Sequence, residues 1–493
     1  MNTRLLFADH DVDLDGRAPD GAGEVIRDLG LQPIIHTMAD EDAYLHGVVA
    51  AQLLAMQTDL AVITYRHAGI DDALMNVDSV RDMYQRATAA LDELRHHALA
   101  AQGRVGAEHH VRRSLAIVSV LSEHLRSLVA QARSTYGSFT SPAFGGFCSR
   151  LAATFDEQYL AELRAHLREL DFEHGILLSA RLADGGQSTD YAVRTAVHHS
   201  VVQRARRRSA HFRLDPDDVH AGQILDRLRT RALHRVAGAL ADSAAELQRF
   251  FQALRYETAF YLGAINLHRA LRQTSAPVCY PQPKPVGSQV FTCRNLCDAG
   301  LVLSRRDRVV GNDVVADGAA LIMITGANQG GKSTFLRSVG AAQLMMQAGL
   351  PVTATSMAAD VRTSLATHFT REEDVTSVSG KLDEELARLS RIVDGLTPAS
   401  LLLFNESFAS TNEREGATIA AGIVAALTDA GHRVLFVTHM YELAAGFYAA
   451  GTGLFLRAER TDAGERTFRI LTGSPRPTSY GADLYREIFG TPG

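Results

Sequence analysis

The sequence predicts a two-part protein, with a mostly α-helical N-terminal region followed by an α/β domain that has a largely parallel sheet. Over 39–271 the apolar residues recur at helical spacing and prolines are few. Beyond residue 285, short apolar runs alternate with segments of helical pattern. This alternation is typical of strands joined by crossover helices, and such connections produce parallel sheets covered on both faces.

The chain's 493 residues exceed what one hydrophobic core organises, so several domains are expected. The stretch 275–285 contains four prolines, which remove backbone donors and end helices. We therefore expect a short N-terminal segment over 1–38, a helical core or lever region over 39–274, and the α/β domain over 275–493.

Individual elements follow from the same patterns. The apolar runs 321–325, 401–404 and 434–437 are expected to be strands, and 334–348 to be a helix. A long helix in the first half carries one apolar stripe at three- and four-residue steps: Leu247, Phe250, Phe251, Leu254, Tyr261 and Ile265. Core packing accounts for this stripe, so it indicates no ligand site.

Composition excludes several classes of protein. Hydrophobic residues make up 46% and charged residues 22%, which is ordinary for a folded globular chain. No apolar run reaches the roughly 18 residues of a membrane span, and the first residues lack the pattern of a signal peptide. A cytoplasmic protein that does not enter a membrane is expected. The net charge of −6 means that any nucleic-acid binding must use a local basic face.

Two metal-site alternatives are weaker than the ordinary interpretation. Cys279, Cys293 and Cys297 lack the four well-spaced ligands of structural zinc, so buried free thiols are favoured. The run 11–16 begins like a calcium loop, but Ala22 stands where a bidentate glutamate is required. A solvated turn is therefore favoured there.

A P-loop pattern follows the first of the predicted strands and opens the predicted helix. Gly326, Gly330 and Gly331 allow backbone N–H groups to close around phosphate. Lys332 would place a positive charge at the β and γ phosphates, and Ser333 would offer a hydroxyl to magnesium. A glycine turn without a ligand is the alternative, but it leaves a lysine at a strand–helix junction unexplained.

Polar residues end the other two predicted strands, at the edge where a parallel sheet faces its ligands. Asn405 and Glu406 occupy the Walker B position. Glu406 is expected to hold the attacking water, and Asn405 to support magnesium through a bound water. Because asparagine is uncharged, magnesium affinity or turnover would be lower than with aspartate. His439 is expected to sense the γ phosphate, with a structural role as the alternative.

Several segments resemble the MutS family. The P-loop reads Asn-Gln-Gly-Gly-Lys-Ser-Thr, and 405–416 is similar to the family's Walker B and D-loop. The Thr-His segment 437–443, the Asn-Asp element 310–313 and the Ser-Tyr-Gly turn 478–481 keep the family's order and spacing. The resemblance covers roughly 285–490, and the helical region is similar only in general character.

The resemblance implies ATP and Mg²⁺ as ligands, hydrolysis of ATP to ADP and phosphate, and a homodimer. It adds Asn312, Asn328 and Thr334 to the candidate nucleotide-binding residues. In such proteins a second subunit completes each site with a serine that begins a signature helix, and Ser379 has the required spacing to a following glutamate. A helix cap is the alternative role for Ser379.

Contact with DNA is expected from the densest basic cluster of the chain, because clustered arginines bind phosphates without reading sequence. The cluster contains Arg204, Arg206, Arg207 and Arg208. The alternative is a solvated helix face balanced by acidic neighbours such as Asp215.

The mismatch-reading domain of the family is a separate N-terminal α/β domain with a Phe-x-Glu wedge. Roughly 30 residues precede the helical pattern here, so this domain is expected to be missing. Phe155 and Glu157 spell the triplet, but they lie within the helical region, and chance is favoured over a DNA wedge.

These features predict a MutS-like ATP-dependent DNA-binding protein, in which ATP hydrolysis switches a dimeric DNA clamp in mismatch repair or recombination. The rival hypothesis is a nucleotide-gated scaffold or binding protein with negligible hydrolysis and no direct mismatch recognition. It is motivated by Asn405 and by the expected absence of the mismatch domain. A small-molecule kinase is disfavoured because 355–397 shows no acceptor-binding lid.

Overall fold

The computed structural model describes residues 1–14, 21–100, 107–135, 137–170, 177–182, 188–194, 219–305, 308–371, 380–461 and 465–476. The helices are α1 (Ala22–Asp28), α2 (Gln32–Ala39), α3 (Ala43–Leu54), α4 (Leu60–Met75), α5 (Val77–Ala100), α6 (Ala107–Ser134), α7 (Phe144–Thr154), α8 (Glu157–Glu169), α9 (Val219–Arg272), α10 (Ala299–Ser304), α11 (Lys332–Ala348), α12 (Lys381–Asp394), α13 (Glu413–Asp429) and α14 (Tyr441–Ala449). The strands are β1 (Leu177–Leu182), β2 (Ser188–Arg194), β3 (Gln282–Lys284), β4 (Phe291–Leu296), β5 (Asn312–Val315), β6 (Leu321–Thr325), β7 (Ser356–Asp360), β8 (Leu365–Phe369), β9 (Leu401–Asn405), β10 (Arg433–Val437), β11 (Leu454–Arg460) and β12 (Arg466–Thr472).

The chain forms two compact units. The helical unit comprises Met1–Leu5, Asp9–Leu14 and Asp78–Thr258, and the sheet unit comprises Leu6–Ala8, Asp15–Val77 and Ala259–Gly493. The division at residue 275 that the sequence suggests stays a prediction. Of the helices in the described ranges, none is both long enough and apolar enough to span a membrane.

The helical unit is built mainly from α5 to α8 and most of α9, so the predicted helical character of this region is confirmed. Asp156 begins α8 by accepting a hydrogen bond from the Tyr159 backbone N–H at 2.7 Å, an ordinary N-cap. Phe155 beside it is buried. The Phe-Asp-Glu triplet at this point therefore has a structural role. The antiparallel pair of β1 and β2 was not predicted from the sequence.

The predicted long helix is α9, which runs for 54 residues. All residues of its apolar stripe are buried, as core packing requires: Leu247, Phe250, Phe251, Leu254, Tyr261 and Ile265.

A six-stranded sheet lies in the sheet unit, with the strand order β12-β11-β6-β10-β9-β8. The pairs β8–β9, β9–β10, β10–β6 and β6–β11 are parallel, and only the edge pair β11–β12 is antiparallel. The prediction of a largely parallel sheet is confirmed. Every residue of β6 and β10 is buried, which is the pattern of parallel strands covered on both faces.

A second, four-stranded sheet has the order β3-β7-β4-β5. Only its β3–β7 pair is parallel. Three of the cysteines lie in or beside this sheet as free thiols, and Cys293 and Cys297 are buried whereas Cys279 is half-buried. Burial raises the pKa of Cys293 to about 12. These thiols therefore stay protonated at neutral pH and pack as small apolar groups.

A buried ion cluster joins the two sheets. Asp360, at the end of β7, accepts hydrogen bonds from Arg362 at 2.8 Å and from Arg433, the first residue of β10, at 3.0 Å. The three side chains are at most 4% exposed. Burial and the neighbouring Arg362 lower the pKa of Arg433 to about 10. The Asp360 carboxylate therefore compensates two guanidinium groups that water cannot reach.

Replacing Asp360 with alanine is expected to lower the free energy of unfolding by about 3–5 kcal/mol, because it leaves two buried cations without their carboxylate. Urea denaturation followed by circular dichroism measures this change. Asp429, an exposed residue at the end of α13, supplies the control, since its change to alanine should alter stability by less than about 0.5 kcal/mol. Equal midpoints for the two variants would contradict the role given to Asp360.

Candidate nucleotide-binding site

The P-loop connects β6, at the centre of the six-stranded sheet, to α11. Gly326 and Gly331 have φ values of 115° and 93°, which L side chains rarely adopt. A Cβ on Gly330 would lie 2.8 Å from the Cβ of Ala458 on β11. These positions therefore require glycine for two different reasons, backbone conformation and the close approach of a neighbouring strand.

The helix that follows begins at Lys332, two residues earlier than the sequence pattern indicated. Gly331 in the left-handed conformation is its N-cap, so Lys332, Ser333 and Thr334 form the first turn. Backbone N–H groups in this turn have no intrahelical acceptor, and the helix dipole favours an anion there. The geometry is that of a phosphate site.

The Lys332 side chain folds back over the loop. Its Nζ donates hydrogen bonds to the carbonyl oxygens of Gly326 at 2.9 Å and Ala327 at 3.1 Å. The same Nζ lies 3.4 Å from the Oδ1 atom of Asn328. Burial lowers the pKa of Lys332, and the carboxylate of Glu406, 3.7 Å away, opposes that shift. The ammonium group is thus held at the mouth of the P-loop by acceptors that an incoming phosphate would partly replace.

The predicted magnesium residues are in contact. Ser333 donates a hydrogen bond from Oγ to Oδ1 of Asn405 at 2.8 Å, although 72 positions separate them in sequence. Both groups offer neutral oxygen atoms, and Mg²⁺ is a hard cation that takes oxygen ligands and keeps several waters. The pair therefore fits the ion, with less negative charge than a serine–aspartate pair would supply.

Glu406 lies one residue beyond β9, in the left-handed region at φ 55°. Its Oε2 accepts hydrogen bonds from the backbone N–H of His439 at 3.1 Å and from Nδ1 of His439 at 2.6 Å. The hydrogen bond to Glu406 raises the pKa of His439, and burial opposes this effect. The carboxylate thus faces Lys332 on one side and His439 on the other, at the carboxyl edge of the sheet.

The other predicted site residues have different positions. Asn312 begins β5 and is buried, and its Oδ1 accepts the backbone N–H of Ile470 on β12 at 2.7 Å. It therefore fixes β12 beside β5, and a role in contacting nucleotide stays a prediction. Ser379, the arginine cluster of Arg204, Arg206, Arg207 and Arg208, and the 478–481 turn lie outside the described residues.

Two contacts from β12 were missed by sequence reasoning. Arg466 donates to the side-chain oxygen of Gln329 in the P-loop at 2.6 Å, across 137 positions. The backbone oxygen of Phe468 lies 3.2 Å from the place of a Cβ on Gly331. No local pattern marks either residue, because the contact exists only once the antiparallel edge strand has folded against β11.

A glycine-rich loop between a central parallel strand and a helix, with a lysine in the first helical turn, defines an α/β P-loop domain. Two family models match this chain: "MutS2 N-terminal domain" over 58–274 and "MutS domain V" over 322–484. Together they account for most of the sequence. The chain belongs to the MutS family.

Individual relatives agree with the family models. The chain is 28% identical over 243 residues to a DNA mismatch repair protein MutS of Thermus thermophilus, and this match covers 49% of the chain and 29% of the relative. It is 28% identical over 258 residues to Endonuclease MutS2 of Lacticaseibacillus casei, covering 49% of the chain and 32% of the relative. The MutS of Thermus aquaticus is 30% identical over 237 residues, covering 47% of the chain and 28% of the relative. The matches thus span less than a third of these relatives' length.

Proposed function

We propose that this chain is an ATP-dependent DNA-binding protein in which ATP hydrolysis switches a dimeric DNA clamp, acting in mismatch repair or recombination. The observation that carries the proposal is the convergence of Lys332, Glu406 and His439 at the P-loop edge of the parallel sheet. The names of the relatives, DNA mismatch repair protein and Endonuclease MutS2, support a role on DNA.

Each residue has a defined task in this proposal. The first turn of α11 and Lys332 bind the phosphates through N–H dipoles and one ammonium charge. Glu406 orients the attacking water and accepts its proton, while His439, hydrogen-bonded to that carboxylate, fixes its direction and contacts the γ phosphate. Ser333 and Asn405 would hold Mg²⁺, which when bound neutralises phosphate charge.

The dimer and the DNA contacts belong to the same proposal. Ser379 would meet the γ phosphate of a second subunit, and the arginine cluster around Arg206 would contact the DNA backbone. Binding of ATP would then favour one arrangement of the two subunits, and hydrolysis would release it.

Asn405 favours a second candidate function, a nucleotide-gated scaffold with negligible hydrolysis and no direct mismatch recognition. Its amide brings no negative charge to the magnesium site, and the Lys332 ammonium is already satisfied by loop carbonyls. In that case ATP would still alter the protein's shape, but phosphate release would be at background level.

A binding panel separates these functions. Homoduplex, mismatched, branched and single-stranded DNA are each titrated with the full chain, with and without ATP and Mg²⁺, while phosphate release is measured in parallel. If the chain is a clamp, we expect its affinity for DNA to change when ATP is added, and we expect DNA to alter the rate of ATP hydrolysis. Binding of nucleotide without hydrolysis or DNA affinity would favour the scaffold.

Replacing Asn405 with aspartate is expected to lower the magnesium concentration that half-saturates ATPase activity, on the order of 10-fold, because a carboxylate adds attraction for the divalent ion. The maximal rate should change less, since Glu406 remains in place. Magnesium titrations of steady-state phosphate release by the parent and the variant measure both quantities.

The competing expectation is that a second carboxylate beside Glu406 disfavours its charged form and weakens its hold on water. An unchanged magnesium midpoint with a reduced rate would support that view and reject ours. Asn2→Asp is the control, because it makes the same chemical change at an exposed position of the helical unit and should leave the midpoint unaltered.

A further inference from the structure

The loop that follows β9 contains residues in an unfavourable backbone conformation. Glu406 and Phe408 both have positive φ, at 55° and 63°, although neither is glycine. Residues in the left-handed region persist only where the surroundings hold them there. The loop 406–410 therefore needs external contacts to keep the Glu406 carboxylate between Lys332 and His439.

The Glu406 backbone N–H is held directly by the Val437 oxygen at 2.9 Å, and a buried polar contact to the residues that follow comes from Glu385 on α12. Its Oε2 accepts the backbone N–H of Phe408 at 3.2 Å and the Oγ–H of Ser410 at 3.0 Å. Glu385 is only 6% exposed, so water does not compete for this oxygen. A buried carboxylate that accepts two hydrogen bonds from one loop restrains that loop strongly.

A second contact reaches the same loop from β8. The His368 ring lies between Oγ of Ser407, at 2.8 Å from Nδ1, and the backbone oxygen of Glu385, at 3.1 Å from Nε2. The ring also stacks on Phe408, with 5.5 Å between centroids. Burial lowers the pKa of His368 to about 4, so the ring is neutral at physiological pH. The imidazole thus links the loop to α12 at the same point as Glu385.

We propose that Glu385 is a positioning residue for the catalytic carboxylate. By holding Phe408 and Ser410 it restrains the loop just beyond Glu406, and it acts together with the direct bonds from His439 to set the direction of the Glu406 carboxylate toward the P-loop. Glu385 touches no nucleotide in this role. The inference rests on the proposed function of Glu406, but the restraint of the loop by α12 is measurable without hydrolysis.

Two substitutions test the role. Glu385→Ala removes both hydrogen bonds and should lower kcat of ATP hydrolysis at least about 10-fold, with KM and ATP Kd changed less than about two-fold. Glu385→Gln keeps an oxygen acceptor for Phe408 and Ser410, and it should retain most of the activity. Asp394→Asn, an exposed carboxylate on the same helix, is the control for loss of charge on α12 and should behave as the parent.

Hydrogen–deuterium exchange supplies the readout that is independent of catalysis. In the described part of the chain, the Phe408 amide donates its hydrogen bond to Glu385. A peptide spanning 404–412 should therefore exchange faster in Glu385→Ala than in the parent. In Asp394→Asn its exchange rate should equal that of the parent. Faster exchange with a lower kcat and intact ATP affinity supports the inference.

Three results would overturn it. These are an unchanged kcat in Glu385→Ala, an equal loss in the glutamine and alanine variants, and a fall in kcat that is matched by loss of ATP affinity and of thermal stability. If the parent chain itself releases no phosphate, the proposed hydrolysis fails. Exchange of the 404–412 peptide still decides whether Glu385 holds the loop.

Discussion

Replacing Lys332 with alanine is expected to abolish ATP binding, with a rise in Kd of at least about 100-fold. Lys332 is the cation of the P-loop, and its Nζ already sits 2.9 Å from the Gly326 oxygen at the position that a phosphate would approach. The other donors of the loop are backbone dipoles, which cannot offset the charge of a triphosphate alone. Isothermal titration calorimetry with ATP and Mg²⁺ measures the change.

Two further variants separate charge from packing. Lys332→Met keeps a long buried side chain without the ammonium group, and should lose affinity to the same extent. Lys284→Ala removes the same charge from β3 in the four-stranded sheet, and should bind ATP within about two-fold of the parent. Unchanged affinity in Lys332→Ala would refute the assignment of the nucleotide site.

Replacing Glu406 with glutamine is expected to preserve ATP binding and slow hydrolysis on the order of 100-fold or more. The amide has the size of the carboxylate and can still accept one hydrogen bond from His439, but it cannot accept a proton from water. A longer-lived ATP-bound dimer should accumulate. Single-turnover phosphate release and light scattering in the presence of ATP measure the two effects.

The same variant should change the titration of His439. The hydrogen bond to Glu406 is the main cause that raises the pKa of this imidazole, so the pKa should fall in Glu406→Gln, as followed by NMR of the ring protons. Glu162→Gln, on an exposed face of α8, is the control for both hydrolysis and titration. Hydrolysis at the parent rate would transfer the catalytic role to another residue, and His439 would be tested next.

The parts of the site that are continuous in sequence could be predicted from sequence. The P-loop glycines, Lys332 and Ser333 share one short segment whose spacing is fixed by the strand–turn–helix geometry. Asn405, Glu406 and His439 could be placed near them because parallel strands end at one edge of a sheet. The contact between Ser333 and Asn405 follows from this rule.

Other features depend on distant pairings that leave no local pattern. The hydrogen bond from Arg466 to Gln329 forms only when β12 pairs antiparallel with β11 at the edge of the sheet. The strand β3 has three residues, too few to show an alternating pattern in the sequence. In the sequence, nothing distinguishes Glu385 from the other acidic residues of the amphipathic helix α12. Its burial against Phe408 depends on how α12 packs, which helical periodicity alone does not specify.

The strand that precedes the P-loop, β6, pairs with two strands that are translated much later, β10 and β11. β6 ends at Thr325, whereas β10 begins at Arg433 and β11 at Leu454. A ribosome that adds about 5–20 residues per second therefore leaves this apolar strand unpaired for on the order of 5–20 s. An unpaired apolar strand is a template for pairing with other chains. We therefore expect the nascent protein to need protection from such pairing while 326–432 is translated, and we expect slower translation of that stretch to lower the yield of folded protein.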